Sequence, residues 1–292
     1  MSEFFQYLIT GLTIGSMYGL IGLGIVLVHN ASHVVNFAQG DLQMLGGMSA
    51  VACLGAGLPL PLALSLGVLA GGLVGLLMFK FTIEPARKAG PLGLVIITLG
   101  VGLVLRGAAE LVWGKGFYSL PSFSGDEVIR LGGVTVVPQS LWVIGSTAVV
   151  VVLLAYFFSR SLTGKAIVAT SLDRDAATLM GINTGRMQLF TFGLAGLLGA
   201  VAGVLIAPIA FTHSAAGLVL GLKGFVAAVL GGLGSFRGAL LGGLALGVAE
   251  SMMAGYGSSD YKDAIAYLLI ILILIFMPRG LFGGIARAGE RV

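Results

Sequence analysis

The residues able to do chemistry in this chain are few and far apart. Its three histidines, His29, His33 and His213, and its one cysteine, Cys53, do not cluster. A metal centre needs several such ligands at short spacing, so no metal ligand is assigned. A lone cysteine also excludes an internal disulfide. No Ser-His-Asp set, HExxH or convergent carboxylate pair occurs, and no catalytic residue is assigned. The phosphate-cradling pattern G-x-x-x-x-G-K-[ST] is absent as well: Gly114-Lys115 runs into Gly116, and Gly164-Lys165 into Ala166. What stands out is a handful of polar side chains embedded in apolar runs, namely Asn36, Gln39, Asp41, Arg106, Glu110, Lys223 and Glu250. Ionisable groups in such settings are functional candidates by default.

The composition says what must hold them. Of 292 residues, 57% are hydrophobic and only 10% charged, and the mean hydropathy is +1.05. A soluble domain carries about 25% charge. The 48 glycines are about twice the usual share of roughly 7%, with no Gly-X-Y period. These figures exclude an ordinary soluble enzyme, a disordered chain, a disulfide scaffold and collagen. They imply an all-α, polytopic integral membrane protein. The net charge of +4 comes without a basic cluster interleaved with aromatics, so nucleic acid is not an expected partner; the partner surface is membrane lipid.

A span needs about 20 apolar residues. The apolar runs are Phe4–Val28, Leu42–Gly57, Leu60–Phe79, Leu92–Trp113, Ser140–Phe158, Met187–Phe211, Leu222–Leu233, Ala239–Ala254 and Ala264–Met277. The first is too long for a signal h-region and is read as a retained span. Several others are short, so about eight transmembrane helices are expected, plus broken or re-entrant segments. Glycines at spacings of three and four, such as Gly11, Gly15 and Gly19 or Gly193, Gly196, Gly199 and Gly203, share one helix face. They let helices pack closely in lipid.

Lys and Arg gather in Lys80–Gly90, Arg160–Gln188 and the C-terminal tail, whereas Gly114–Pro138 has no basic excess. The positive-inside rule puts the first three in the cytoplasm and the fourth outside. With nine segments, the N-terminus is then outside and the C-terminus inside. Trp113, Phe117 and Tyr118 fit an outer aromatic belt.

The polar break from His29 to Asp41 has two readings. It is a broken segment bordering a path, lined by Asn36, Gln39 and Asp41, or a short connection whose Asn and Asp cap the next helix. Arg106 and Glu110, four apart on one helix face, can pair. Lys223 is placed to snorkel to an interface, and Glu250 has no sequence-local partner. Tyr18 and Phe225 are candidates for the lining of a path, or for packing between helices.

The strongest local signal lies in the basic stretch 160–186. Ser171 or Asp173 can cap a helix whose first turn is acidic. Leu172, Ala176, Leu179 and Met180 recur at helical spacing, and Gly181 ends the helix. A short amphipathic helix outside the membrane suits a groove on another protein.

Asp175-Ala176-Ala177, three residues, then Gly181 resembles the EAA motif of ABC-importer permeases, with Asp for Glu. Val35-Asn36-Phe37-Ala38-Gln39-Gly40-Asp41-Leu42 through Leu45-Gly46 is similar to a signature of branched-chain amino-acid permeases, with Gln39 where His is common. Gly164-Lys165-Ala166 through Gly181-Ile182-Asn183 and Gly221-Leu222-Lys223-Gly224-Phe225 through Gly242-Gly243 follow the same family. On these blocks, spread from about Leu8 to Leu281, the chain resembles LivH-type permease subunits of branched-chain amino-acid ABC importers.

The resemblance implies a single transmembrane permease domain over 1–292, with 160–186 as the cytoplasmic coupling loop of a bacterial inner-membrane protein. It implies that Asp173, Asp175, Ala176, Ala177, Leu179, Met180, Gly181 and Ile182 couple to an ATPase. Tyr18, Asn36, Gln39, Asp41, Phe225 and Glu250 are the candidates for the translocation path. The implied partners are a homologous second permease (LivM-type), two cytoplasmic ATPases carrying ATP and Mg, a periplasmic solute-binding protein and a small-molecule solute. The chain itself would bind no cofactor and hydrolyse nothing. The alternative is a self-sufficient ion-coupled transporter or channel using Asp41 or Glu250.

Overall fold

A computed structural model describes residues 2–87, 89–125, 127–131, 134–277 and 280–282. Of the charges used above to orient the chain, Lys88, Asp126, Arg279, Arg287, Glu290 and Arg291 lie outside the described residues. Each of the nine apolar runs is a helix. They are α1 (Ser2–Ser32), α2 (Gln39–Gly55), α3 (Leu60–Met78, continued by a π turn Phe79–Ile83), α4 (Pro91–Trp113), α5 (Pro138–Arg160), α8 (Thr184–Ile206), α9 (Ala216–Gly231), α10 (Phe236–Tyr256) and α11 (Lys262–Phe276). Between α5 and α8 lie α6 (Leu162–Leu172) and α7 (Arg174–Leu179). Proline at the first turn of α3, α4 and α5 starts each of them, where its missing N–H has no helical partner to lose.

Six helices among the described residues are long and apolar enough to cross a membrane: α1, α3 with its π turn, α4, α5, α8 and α10. The expected eight full crossings thus resolve into six long helices and three short ones. At 1.5 Å per residue, α2 and α9 reach only about 25 Å, short of a ~30 Å core. They are short because each begins inside the bundle.

α1 and α8 are mostly buried and form the centre; α4 and α5 are mostly exposed. Glycine lets α1 and α10 touch along their lengths. A Cβ at Gly15 would lie 2.8 Å from the Gly243 carbonyl oxygen, and one at Gly247 would collide with Gly11 and Gly15 backbone. Apolar side chains such as Leu20, Ile21, Ile25, Phe79, Phe192 and Leu246 fill the remaining core.

One end of the bundle carries the start of α1 and a short antiparallel hairpin, β1 (Ile129–Leu131) with β2 (Val134–Val136), that the sequence reading did not foresee. Gln6 Nε2 donates to Thr135 O at 2.8 Å, and Thr135 N–H donates back to Gln6 Oε1 at 2.9 Å. Tyr118 forms a bridge with Thr212 there and donates its hydroxyl hydrogen to Trp113 O. The opposite end carries Lys80, Arg87, Arg160, Lys165, Arg174 and Arg186. There Asn30 Nδ2 donates to Gly234 O at 3.1 Å, Gln188 Nε2 to Ala31 O at 3.0 Å, and Leu281 N–H to Leu230 O at 2.9 Å. The nine helices alternate in direction between the hairpin end and the basic end.

Candidate functional site

α1 ends at Ser32, and His33, at φ 55°, turns the chain back into the bundle. Backbone without a helix at that depth must find partners within the protein. It finds them in side chains. Asn36 Oδ1 accepts from Ala38 N–H at 3.1 Å, and Thr98 Oγ1 of α4 accepts from Phe37 N–H at 3.3 Å while donating to Val95 O at 2.8 Å. Gln39 Nε2 donates to Ala195 O of α8 at 2.7 Å. The break re-enters the bundle and Asn36 ties down its turn, but neither Asn36 nor Asp41 caps α2, whose N-cap is Ala38 with no side-chain hydrogen bond.

A second break mirrors the first. After α8 the chain folds back from the hairpin end, and α9 begins against the start of α2. Gly40 and Gly217 meet so closely that a Cβ on Gly40 would collide with Gly217 O. Two helix N-termini therefore face one another inside the bundle. The carboxylate of Asp41, in the first turn of α2, lies between them, wedged against Gly102 and Gly217. Helix N-termini carry partial positive charge and favour an anion there. Arg106 of α4 supplies a full charge, its Nε 3.2 Å from Asp41 Oδ1. The contact is an ion pair rather than a hydrogen bond, since Oδ1 has no partner in bonding geometry.

This overturns the expected Arg106–Glu110 pair. Glu110 turns to Lys115 instead, 3.8 Å away. The reason is burial. Asp41 is 1% exposed and cannot remain uncompensated there, whereas Glu110 sits one turn nearer the hairpin end and is hydrated.

The second polar cluster joins four helices. Lys223 of α9 lies with Nζ 3.0 Å from both oxygens of Glu250 on α10, 2.6 Å from Asp263 Oδ1 on α11 and 3.1 Å from Tyr18 Oη on α1. Tyr18 donates its hydroxyl hydrogen to Glu250 Oε2 at 2.8 Å. Lys223 is thus a buried centre, not a snorkelling residue: its two carboxylate partners offset the desolvation that snorkelling would relieve.

Of the path candidates, Tyr18, Asn36, Gln39, Asp41 and Glu250 are all at most 4% exposed within the single chain. The half-buried Phe225 packs against Phe37 beside the first break, with ring centroids 5.3 Å apart and the rings tilted by 46°. The structure gathers Asn36, Gln39 and Asp41 at one break and Tyr18 and Glu250 at the other cluster. Sequence reasoning missed Thr98 and Asp263 as members. It had Lys223 and Arg106 in view but with other roles. Their one available signal was a charge inside an apolar run.

At the basic end the stretch 160–186 makes two helices where one was foreseen. Ser161 caps α6, accepting from Gly164 N–H at 2.8 Å, and Asp173 caps α7, accepting from Ala176 N–H at 2.9 Å. Asp173 is extended, at φ −151°, so Leu172 and Leu179 do not lie on one continuous helix. Gly181, at φ 83°, ends α7 with Gly181 N–H donating to Thr178 O and Ile182 N–H to Ala177 O, both at 3.0 Å. That pattern closes a helix on a left-handed residue. Asn183 then caps α8 at 3.0 Å from Arg186 N.

Ala177 packs inward and Ile182 is half-buried, while Asp173, Asp175, Ala176 and Gly181 are exposed. Leu179 and Met180 are 89% and 84% exposed. Beside them lies a cleft of about 470 Å³ bordered by Lys80, Glu84, Arg87, Asn183 and Arg186. Lys80 bonds Glu84 at 2.8 Å and holds its carboxyl below the usual range, helped by the charges of Lys80 and Arg87.

Three comparisons bear on this architecture. Residues 7–274 match the family described as "Branched-chain amino acid transport system / permease component". The chain is 33% identical over 296 residues to the high-affinity branched-chain amino acid transport system permease protein LivH of Salmonella typhimurium, covering 96% of each. It is 33% identical over 295 residues to the corresponding protein BraD of Pseudomonas aeruginosa, again covering 96% of each. Among solved structures, PsaBC from Streptococcus pneumoniae in complex with Fab superposes with a TM-score of 0.54 over 96% of this chain and 93% of that one. At 15% identity, that likeness speaks for the fold alone.

Proposed function

The chain belongs to the branched-chain amino acid transport system permease family, and from that premise we propose how this ABC-importer permease subunit works. It imports branched-chain amino acids or closely related small solutes. It pairs with a homologous second permease, and the path runs between the two. Two ATPases, which carry the ATP and Mg, dock from the cytoplasm, and a periplasmic binding protein delivers the solute. The basic end faces the cytoplasm of a bacterial inner membrane, following the bias of Lys and Arg toward that side. The 1–292 chain acts as one transmembrane domain with 160–186 as its coupling arm.

The observation that carries this reading is the exposure of Leu179 and Met180 at the tip of α7, outside every span. Large apolar side chains presented to water mark a docking surface. The arm suits force transfer. It is capped on both sides and continues into α8, whose Ala195 O holds Gln39 at the first break. A push on α7 reaches the start of α2 through one helix. The alternative of an ion-coupled transporter draws less support, since Asp41 and Glu250 each have a resident cation.

Leu179→Asp with Met180→Asp tests the docking role in the reconstituted complex. Both side chains are exposed, so the amount of folded chain should match the parent. Co-purification with the ATPases and solute-stimulated uptake should fall about tenfold or more, because a carboxylate buried at an apolar contact is strongly penalised. Parental uptake and co-purification would overturn the docking role. Ala177→Arg is a poorer probe, because Ala177 is buried at 4% and the change would disturb α7 itself.

A further inference from the structure

The cleft beside α7 and a groove on the outside of the bundle share the same two helices. The cleft, of about 470 Å³, lies where the π turn after α3 meets the start of α8. The groove, of about 600 Å³, runs between α3 and α8 themselves. Their linings adjoin along both helices. Leu76 of the groove stands one turn from Lys80 of the cleft, and Gly193 of the groove stands one turn from Leu189 of the cleft. Residues four apart share a helix face, so the two cavities follow one another along a single crevice.

The two halves differ in chemistry. The cleft gathers three cations, Lys80, Arg87 and Arg186, against one carboxylate, Glu84. Glu84 pairs with Lys80 at 2.8 Å and more loosely with Arg87 at 3.4 Å. Arg186 has no acidic partner among the described residues. Arg87 leans across to α8, its Nη2 3.0 Å from where a Cβ on Gly185 would sit. The cleft therefore keeps positive charge that no carboxylate in its lining balances.

The groove is lined by apolar residues alone. Leu69, Leu73 and Phe190 wall it, each more than half exposed, and Gly72 and Gly193 contribute no side chain to fill it. From Leu76 to Leu66 it follows about 15 Å of helix at 1.5 Å per residue. That is half of a ~30 Å hydrocarbon core, the depth of one leaflet.

A cationic mouth above an apolar trough one leaflet deep fits a molecule with an anionic head and a hydrocarbon tail. A helix of a partner permease would fill the trough and gain nothing from the cations. A soluble partner would meet the cations and could not enter the trough. We propose that this crevice is a site for an acidic phospholipid, with its phosphate among Lys80, Arg87 and Arg186 and one acyl chain between α3 and α8. Basic pockets between membrane helices hold anionic head groups in this way. The site goes beyond the importer reading and requires only that the basic end lie at a bilayer surface. Thr178 and Ile182 of the 160–186 arm also line the cleft, so a bound head group braces the root of that arm.

The test uses the full chain in neutral detergent, with retained lipid counted by native mass spectrometry. The probes are dioleoylphosphatidylglycerol and dioleoylphosphatidylcholine, which share their tails and differ in net charge. Phosphatidylglycerol should be retained in preference, and inorganic phosphate at equal concentration should not displace it, because a free anion gains nothing from the trough. Lys80→Gln with Arg186→Gln should weaken phosphatidylglycerol retention about tenfold or more, since each cation near a bilayer surface contributes to holding an anionic lipid. Arg160→Gln with Lys165→Gln removes the same charge from the same end outside the cleft and should leave retention at the parental level. Ala70→Phe narrows the trough without touching a charge and should also weaken retention. Should that variant fail to fold, Leu73→Ala, which removes an exposed wall, carries the same expectation. Equal retention of the two lipids, equal losses from the two charge pairs, displacement by inorganic phosphate, or parental retention in the trough variant would each overturn the proposal.

Discussion

Lys223→Met is expected to leave almost no assembled protein. It strands the carboxylate of Glu250, only 5% exposed, in a cluster that joins α1, α9, α10 and α11. Breaking a buried ion pair by removing one partner costs about 3–5 kcal/mol, a large fraction of the total stability of a typical domain. The control is Lys223→Met with Glu250→Gln. It removes both buried charges and leaves Asp263, whose side chain is 51% exposed and hydrated without help. The double variant should recover most of the assembled protein, since apolar replacement of a whole buried pair is often neutral. The measurement is detergent-solubilised yield and thermal midpoint by fluorescence-detected size exclusion. A single variant with the parental midpoint would show that Lys223 and Glu250 do not depend on each other.

The second large effect concerns the meeting of the two broken helices. Gly40→Ala should prevent α2 and α9 from seating. The added Cβ would collide with Gly217 O and lie 2.5 Å from Gly221 N. Both obstacles are backbone, so no rotamer change relieves them. Overpacking a tight core costs about 1–3 kcal/mol and sometimes more. Separating these helices also uncovers Asp41. Gly145→Ala is the matched comparison. Gly145 lies within α5 with open space where its Cβ would point, and alanine there should be neutral or stabilising by about 0.5–1 kcal/mol. The thermal midpoints of the two variants should therefore move apart. Equal midpoints would mean that the contact at Gly40 yields more readily than its geometry implies.

Much of this fold was legible because each helix declares itself by a run of apolar residues, and lipid leaves the backbone no other option. Gly181 was found because helix termination is local chemistry. Arg106 was paired wrongly for the same reason. The i,i+4 rule sees Glu110, one turn away, and cannot see Asp41 on another helix. Lys223 and Asp263 come together across 40 residues of sequence, and no spacing rule reaches that far. The depth of the two breaks was hidden as well. A polar stretch such as His29 to Asp41 reads alike whether it emerges into water or folds back inward. What decides is Thr98 and Gln39 satisfying the backbone there, a property of neighbouring helices. The arm at 160–186 was visible as one helix, but the extended Asp173 that divides it carried no distinct signal, since aspartate suits a cap in either arrangement.

The order in which α9 and its neighbours are made has its own consequence. Lys223 leaves the ribosome 27 residues before Glu250 and 40 before Asp263. A lysine at the centre of a nascent helix costs about 2.5–3.5 kcal/mol to insert, roughly what the Leu, Val and Phe side chains of the 16-residue α9 return on the same scale. α9 alone is therefore balanced at the margin of insertion, and the carboxylates that α10 and α11 bring to Lys223 are what tip it into the bilayer.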